Sequence, residues 1–339
     1  MKRIQHWTRG AGLGLGDRAR SGDGAGRAAR SGDGAGARRR WAGIAVAAGV
    51  ALAVTGCQTI PSHAVADHDA QVAYHADAVQ QLLAGDLVAS LAATPSFDAV
   101  GYSHAIASTG EKLHVQIESH VDGGTEISRE SRDKAGYTID LVHHASSSVT
   151  YYLFGDNFVQ AKAVPTPWMA VPEGDNARGS DPKRVCDMRS VYYMCSILDA
   201  WQATRTANPS IPTLVDRGAD GTVHMSTAAA FDELERAGVF GMPDDLRSKF
   251  SEDDLRTLIG VQVWLDSSGN VTKLEANGKI GSDVTVELQS GFELRPPGSA
   301  TVPDINPATL DPKVITYLTT KQQADEMWAR IIDAYGAAG

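Results

Sequence analysis

A few side chains of this chain have the spacing of catalytic groups. Ser131 precedes Lys134 by three positions, the spacing in which a lysine can activate a serine nucleophile. The companion Ser-Asp-Asn and Lys-Thr-Gly boxes are absent from the sequence, and so are the G-x-S-x-G and H-E-x-x-H motifs. The motif therefore stands alone at the end of a predicted strand, and we expect a protein that is not an enzyme.

Acidic residues and histidines give only partial metal-binding patterns. Asp216 and Asp220 have the spacing of two calcium-loop ligands, but Gly218 and Thr227 stand where a further oxygen ligand and a bidentate glutamate are needed. We therefore expect a plain glycine-rich turn. The histidine pair 143–144 lies on a predicted strand, so its rings face opposite sides and do not share one metal ion. The sequence predicts neither a metal nor a cofactor.

A third reactive group stands at the end of an apolar segment near the N-terminus. Residues 1–40 are rich in glycine, alanine and arginine, and an apolar run of 14 residues follows from Trp41 to Val54. The run is shorter than the ~20 residues of a membrane-spanning helix. It ends in Val-Thr-Gly-Cys57, which resembles the lipobox of bacterial lipoprotein signal peptides, where the cysteine thiol accepts the acyl group. The alternative is a short N-terminal anchor that ends in an incidental cysteine.

The lipobox predicts the outline of the chain. Residues 1–56 are a signal peptide, Cys57 is lipidated, and residues 57–66 tether a domain to the extracytoplasmic face of the cell membrane. Cleavage removes 10 of the 31 basic and 3 of the 41 acidic side chains, which leaves 21 and 38 and a net charge of −17. Such an acidic protein lacks the basic surface that binding to nucleic acid needs. It also lacks a basic patch for anionic lipids, so we expect its attachment to the membrane to depend on the lipid anchor.

The other two cysteines, Cys186 and Cys195, form an even pair in a protein expected outside the cytoplasm, which favours a disulfide over two free thiols. Nine positions of continuous helix would separate them by about 13 Å, too far for a disulfide. The segment after Cys186 must therefore turn or extend before any helix begins.

Two blocks of alternating apolar residues predict antiparallel strands joined by short turns. The first block runs from about 97 to 164, and a Pro-rich Trp-Met-Ala-Val-Pro loop at 168–172 ends it. Strands are expected again at 222–225 and from 261 to 288. Helical spacing predicts helices at about 67–90, 189–204, 227–237 and 321–335.

The order of these elements resembles that of the actinobacterial LppX/LprG-type lipoproteins and, more broadly, the LolA/LolB-like lipid carriers. The Val-Trp-Leu-Asp-Ser-Ser-Gly hairpin that begins at 263 is the best local match. The resemblance implies an α+β fold in which a curved antiparallel sheet, an unclosed half-barrel, wraps around helices. The resemblance covers about residues 65–294. The sequence thus predicts a main domain at residues 67–298 and a C-terminal extension with an amphipathic helix at residues 299–339. The family has no catalytic residues to carry over.

The resemblance also implies an apolar cavity that binds a lipid or another acyl-bearing ligand. The candidate lining residues are Leu82, Leu83, Val115, Ile117, Ile139, Leu141, Val263, Val284 and Val286. Alternation shows that one face of a strand is buried, but ordinary core packing explains each of these positions equally well. A scaffold or sensor lipoprotein that binds an envelope protein, without lipid cargo, is therefore the alternative function.

Overall fold

The computed structural model describes residues 79–133, 136–172 and 182–337. The predicted signal peptide, the lipidation site Cys57, the tether and the first half of the first predicted helix lie outside these residues. Within the described part of the chain, no helix is both long and apolar enough to cross a membrane.

The described residues form an α+β fold around one sheet of twelve strands that does not close into a barrel. The strand order is β12-β6-β5-β4-β3-β2-β1-β11-β10-β9-β8-β7, and every pair is antiparallel except β12 with β6. The strands are β1 (Ser96–Ala107), β2 (Lys112–Asp122), β3 (Thr125–Arg132), β4 (Ile139–His143), β5 (Val149–Phe154), β6 (Trp168–Pro172), β7 (Leu214–Arg217), β8 (Val223–Ala230), β9 (Leu258–Leu265), β10 (Val271–Ile280), β11 (Val286–Arg295) and β12 (Ile315–Tyr317).

The structure corrects three boundaries of the predicted sheet. The segment 168–172 is strand β6 rather than a loop, and β5 pairs with it. Strand β8 continues to Ala230, so the helix predicted from 227 begins only at Phe231. Alanine favours a helix, so the pairing with β9 and not the residue type decides the conformation of residues 228–230. Val284 lies in the bend before β11 rather than in a strand.

Seven α-helices accompany the sheet in the described residues. A π-helical segment, Leu82–Asp86, leads into α1 (Leu87–Ala92), so the first predicted helix does change character around Gly85. The others are α2 (Asp156–Gln160), α3 (Tyr192–Ala207), α4 (Phe231–Arg236), α5 (Asp244–Arg247), α6 (Glu252–Leu255) and α7 (Lys321–Ala337). Ser251 caps α6 in a capping box with Asp254.

The disulfide between Cys186 and Cys195 is present, with 5.7 Å between the two Cα atoms. Cys186 lies in a 3-10 turn, Pro182–Asp187, and α3 begins only at Tyr192. The chain therefore reverses between the two cysteines, as the predicted pairing requires. The disulfide ties this turn to the first turn of the longest helix in the central part of the fold.

Apolar side chains on the helix-covered side of the sheet, called here the inner face, form two separate clusters. The larger cluster joins β1, β2 and β8–β11 to α1, α3 and α4. The smaller cluster joins β4, β5 and β6 to α2 and α7. Strand β3 lies between them and contributes no buried apolar side chain to either cluster.

The C-terminal residues belong to this fold rather than extending from it. Strand β12 adds to the sheet edge beside β6, and α7 buries Met327, Trp328, Ile331 and Tyr335 in the smaller cluster. These four residues are the apolar stripe that helical spacing predicts. Because α7 covers β4 and β5, the boundary expected at 298 does not separate two independent parts of the structure.

Candidate functional site

Strand β3 turns its polar side chains to the inner face of the sheet. Its alternate residues are buried, whereas the apolar Ile127 is only half-buried on the opposite face. The buried residues are Glu126, Ser128, Glu130 and Arg132, which are called the polar column below. Charged side chains are rarely buried in a protein core unless they are paired, so a column of this kind needs an explanation.

The register places apolar residues on both sides of the polar column. Directly opposed residues on neighbouring strands point to the same face. Ile117 of β2 and Ile139 of β4 both oppose Glu130. Leu141 of β4 opposes Ser128, and Val115 of β2 opposes Arg132. Four predicted lining residues therefore flank the column directly.

Arg189, in the turn before α3, reaches the polar column from above the sheet. Its backbone N–H donates to Glu126 Oε1 at 2.9 Å, and its guanidinium forms an ion pair with Glu130. Arg132 Nε donates to the other oxygen of Glu130, Oε1, at 2.6 Å. The guanidinium of Arg132 also lies over the ring of Tyr335 from α7, 4.9 Å from its centre. The column thus contacts α7 of the smaller cluster and the turn that leads into α3 of the larger cluster.

The buried charges of this site are equal in number. The guanidinium groups of Arg132 and Arg189 both pair with Glu130, and the charge of Glu126 also acts on Arg189. All four side chains are nearly or fully buried. Burial lowers the pKa of each arginine, and nearby acidic groups and tyrosines partly oppose that effect. Arginine stays protonated in proteins, so the site holds two buried positive charges beside the two glutamates. Removing such charges from water is costly even when they are paired.

Several hydrogen-bond donors at this site lack an acceptor among the described residues. They are the hydroxyls of Ser128, Ser190 and Tyr193 and the Nε–H of Arg189. Ser128, Ser190 and Tyr193 are fully buried. Burial raises the pKa of Tyr193, with the arginines Arg132 and Arg189 acting in the opposite direction, so the phenol keeps its proton. Buried polar groups in folded proteins nearly always have a partner, which can be water or a ligand.

The predicted lining residues are for the most part closely packed. At most 2% of the surface is exposed for seven of them: Leu83, Val115, Ile117, Ile139, Leu141, Val263 and Val286. Leu82 and Val284 are half-buried beside the larger cluster. A side chain that lines a space wide enough for an acyl chain keeps surface that a water-sized sphere can reach. In this conformation, therefore, helices and not open space adjoin these strand residues.

The predicted lining residues also divide between the two clusters. Val115, Ile117, Val263 and Val286 belong to the larger cluster, with Leu83. Ile139 and Leu141 belong to the smaller cluster, beneath α7. The structure thus places the first group under α1 and α3 and the second group under the C-terminal helix, with the polar column between them.

Alternation alone does not predict the polar column, because Ile127 is the single apolar residue of β3. A rule that points the apolar side chain inward turns Glu126 and Glu130 outward, which is the reverse of the observed orientation. The detectable signal is the strict spacing of Glu126, Ser128, Glu130 and Arg132 between two strongly apolar strands. The partner Arg189 is 57 residues further along the chain from Arg132, so no local pattern connects them.

The weak motifs of the sequence do not assemble into a site. Ser131 lies on the outer face, opposite the polar column, where its hydroxyl donates to the Gln116 carbonyl at 3.4 Å. Lys134 is outside the described residues. Asp220 accepts hydrogen bonds from the backbone and hydroxyl of Thr222 in the turn between β7 and β8. His143 is buried beside Thr150, and the described residues contain no cluster of three or more metal-ligating side chains.

Comparisons with known proteins add little to this description of an α+β protein with an unclosed antiparallel sheet. No family model matches the chain, and no curated protein matches it. One similar solved structure is a DUF1329 family protein from Desulfovibrio piger, with 8% identity over 66% of this chain and 94% of that chain. Its TM-score is 0.23, which supports neither a shared fold nor a shared function.

Proposed function

We propose that this protein is a lipoprotein, anchored through Cys57 on the extracytoplasmic face of the membrane, that binds a lipid or another acyl-bearing ligand on its inner face. The polar column would meet the polar end of the ligand, and the flanking apolar strands would meet its acyl chain. Transport of the ligand across the envelope is the activity that the resemblance to lipid carriers suggests.

The observation that carries this proposal is the polar column itself. A face built only for packing has no need of buried charges, because a well-packed apolar core is at least as stable as a buried ion pair. Ligand sites, in contrast, combine apolar walls with a few convergent polar groups. The column has this composition, with Ile117 and Ile139 on its two sides and unmatched donors at Ser128 and Tyr193.

Close packing of the flanking residues requires that the ligand displace a helix. The helix α7 is the best placed, because it covers Ile139 and Leu141 and contacts Arg132 through Tyr335. It rests on a single apolar stripe, and its polar side faces solvent. Movement of α7 would open the smaller cluster along the polar column and leave the larger cluster intact.

The same close packing favours a second function, that of an envelope scaffold or sensor that binds a protein partner and carries no lipid. In that case the inner face is a finished core, and the polar column fixes the positions of α3 and α7. This role for buried ion pairs, the selection of one arrangement of elements, is known in some proteins.

Native mass spectrometry of the full chain with Cys57→Ala separates the two functions, because the substitution removes the covalent acyl group. We expect a noncovalent adduct that is released on activation and carries an acyl chain. Its absence from protein purified out of the native envelope would leave only the scaffold function.

Two neighbouring residues of β2 provide a matched pair for this experiment. Val115→Phe adds volume on the inner face beside Arg132, whereas Gln116→Phe adds similar volume on the outer face. We expect Val115→Phe to lose the adduct and Gln116→Phe to keep it. Equal adduct in both variants would place the ligand somewhere other than the inner face.

A further inference from the structure

The polar column differs from an anion-binding site in its charge. Both guanidinium groups pair with the carboxylate of Glu130, and the nearby charge of Glu126 also acts on Arg189. A third carboxylate, Asp133, acts on Arg132 and accepts a hydrogen bond from Tyr335. A phosphate or carboxylate that entered this site would find no unmatched positive charge to compensate its own.

The unmatched groups of the site are hydrogen-bond donors. Tyr193, Ser128 and Ser190 each offer a hydroxyl, and Arg189 offers the Nε–H, which donates only. Tyr193 lies close enough to both arginines to interact with them electrostatically. The site is therefore suited to bind a group that has acceptor oxygens but no net charge.

We propose, on the basis of the function proposed above, that the polar column selects an uncharged, acceptor-rich group such as an ester carbonyl or the hydroxyls of a neutral glycerolipid, and rejects phosphate and carboxylate head groups. Tyr193 is the residue that binds this group, because its phenol is fully buried and has no acceptor among the described residues. The apolar strands on either side do not distinguish one lipid from another by its acyl chain, so the polar column selects the ligand by its head group.

Two probes with one acyl chain test this selection. 1-Oleoylglycerol and 1-oleoyl-lysophosphatidate share the glycerol and the oleoyl chain and differ only in the phosphate. Binding to the full chain with Cys57→Ala is followed by intrinsic tryptophan fluorescence below the aggregation limit of each lipid. We expect 1-oleoylglycerol to bind on the order of tenfold more tightly, because a buried charge without a partner is costly.

The two ways of failing are distinct. Equal or tighter binding of the lysophosphatidate would overturn the inference about the head group and leave the lipid-binding function standing. If neither probe binds, the proposed function itself is wrong, and the inference falls with it.

Tyr193→Phe tests the assigned residue, with Tyr192→Phe as its neighbour control. The phenol of Tyr192 donates to the Gly238 carbonyl at 3.3 Å and has no place in the column. We expect Tyr193→Phe to weaken 1-oleoylglycerol binding about three- to tenfold, the effect of one neutral hydrogen bond. Its melting temperature without ligand should stay equal or rise, because the removed hydroxyl has no protein partner. Unchanged affinity in Tyr193→Phe, or an equal loss in Tyr192→Phe, would show that the phenol holds only structural water or nothing.

Discussion

Two arginines of β3 show how differently one residue type behaves on the two faces of a strand. Arg132 belongs to the buried polar column, whereas Arg129 forms a bidentate pair with Asp140 on the outer face and is 39% exposed. Removing one partner of a buried pair leaves an uncompensated charge, and removing a partly exposed one costs much less. We therefore expect Arg132→Met to lower the free energy of unfolding by about 3–5 kcal/mol.

In the matched variant Arg129→Met the carboxylate of Asp140, which is only 5% exposed, loses its partner at the edge of the protein. This variant should therefore cost less than Arg132→Met, about 1–3 kcal/mol, in the same urea titration. Similar losses for the two variants would mean that water reaches the polar column in the folded protein. That result would weaken the case for a dry site on the inner face.

Glu275, on the outer face, predicts a dependence of stability on pH. Burial alone would raise the pKa of Glu275, but hydrogen bonds from Tyr102, Lys273 and two side-chain amides outweigh it and lower the pKa to about 2. Stability from this ionised group is complete above the ordinary glutamate pKa of about 4.5 and is lost as the pH falls towards 2.

The difference between wild type and Glu275→Gln should therefore be about 2 kcal/mol at pH 7 and shrink steadily below pH 4.5. Thermal unfolding of both proteins between about pH 7 and pH 3 measures it. A difference that stays constant over this range would contradict a lowered pKa for Glu275.

The disulfide acts on the turn that carries Arg189. Cys186 and Cys195 enclose that residue, so the bond restricts the loop that must place a guanidinium against Glu130. A loop of this size stabilises the fold by roughly 2–3 kcal/mol through the entropy of the unfolded chain. We expect the double variant Cys186→Ser, Cys195→Ser to lose that amount in urea unfolding, and thiol labelling of unreduced, denatured wild type to find neither cysteine.

At the scale of elements, the sequence predicts the strands whose inner residues are apolar. Leu113, Val115 and Ile117 alternate clearly and lie in β2, and the helical stripe at 327–335 lies in α7. The pairing of Cys186 with Cys195 is also predictable, because only two cysteines remain after the lipobox. The strands and the helix are predictable because their apolar residues recur at a regular spacing and all face the core.

Prediction from the sequence fails where pairing with residues far along the chain decides the conformation. Residues 227–230 are strand because β9 lies beside them, and residues 168–172 are strand because β5 and β12 lie on either side. The inward turn of Glu126 and Glu130 depends on Arg189, which comes from a distant turn. A local sequence pattern carries no information about these distant partners. The conformation or orientation of these segments is therefore predicted wrongly or is missed.

Overpacking tests how the inner face is filled. Ile139 is 1% exposed beneath α7, and Val115 is fully buried under the helices of the larger cluster. Added volume at either position has no space to enter, and we expect Ile139→Trp and Val115→Trp each to cost about 1–3 kcal/mol. The outer-face variant Gln116→Trp should change the melting temperature little. Near-normal melting of both inner-face variants would instead reveal space that accepts an acyl chain without helix movement.

The helix α7 provides the other prediction at this scale. Trp328 meets Tyr152 and Phe154 edge to face, with ring centres 5.1 and 5.8 Å apart. Its replacement removes the centre of the smaller cluster but leaves the larger one untouched. We expect Trp328→Ala to cost about 3–5 kcal/mol and to loosen α7 first. Hydrogen exchange should show faster exchange in α7 and β4–β6 than in β8–β11, whereas a uniform increase would mean that the two clusters unfold as one.

For the whole molecule, the inner face and the N-terminus support one interpretation. The described residues bury the apolar surface of the inner face in two clusters and contain no helix that could span a membrane. A protein that exchanges lipid with a membrane must nevertheless stay close to it. The predicted mature chain is also acidic, so an anionic membrane surface would repel it. The proposed covalent anchor at Cys57 would supply the proximity that the charge of the domain does not.

Substitution of Cys57 therefore tests the proposed attachment of the protein to the membrane. Cys57→Ala removes the thiol that accepts the acyl group, so we expect an uncleaved precursor without label from a radioactive or alkyne-bearing fatty acid. The matched variant Cys186→Ala keeps the lipobox and should be cleaved and labelled like the wild type. Detergent phase partitioning should move the wild type and Cys186→Ala into the detergent phase as mature-sized protein. Mature-sized, detergent-phase protein from Cys57→Ala would refute lipidation at this residue, because cleavage and membrane attachment would then proceed without the acyl acceptor.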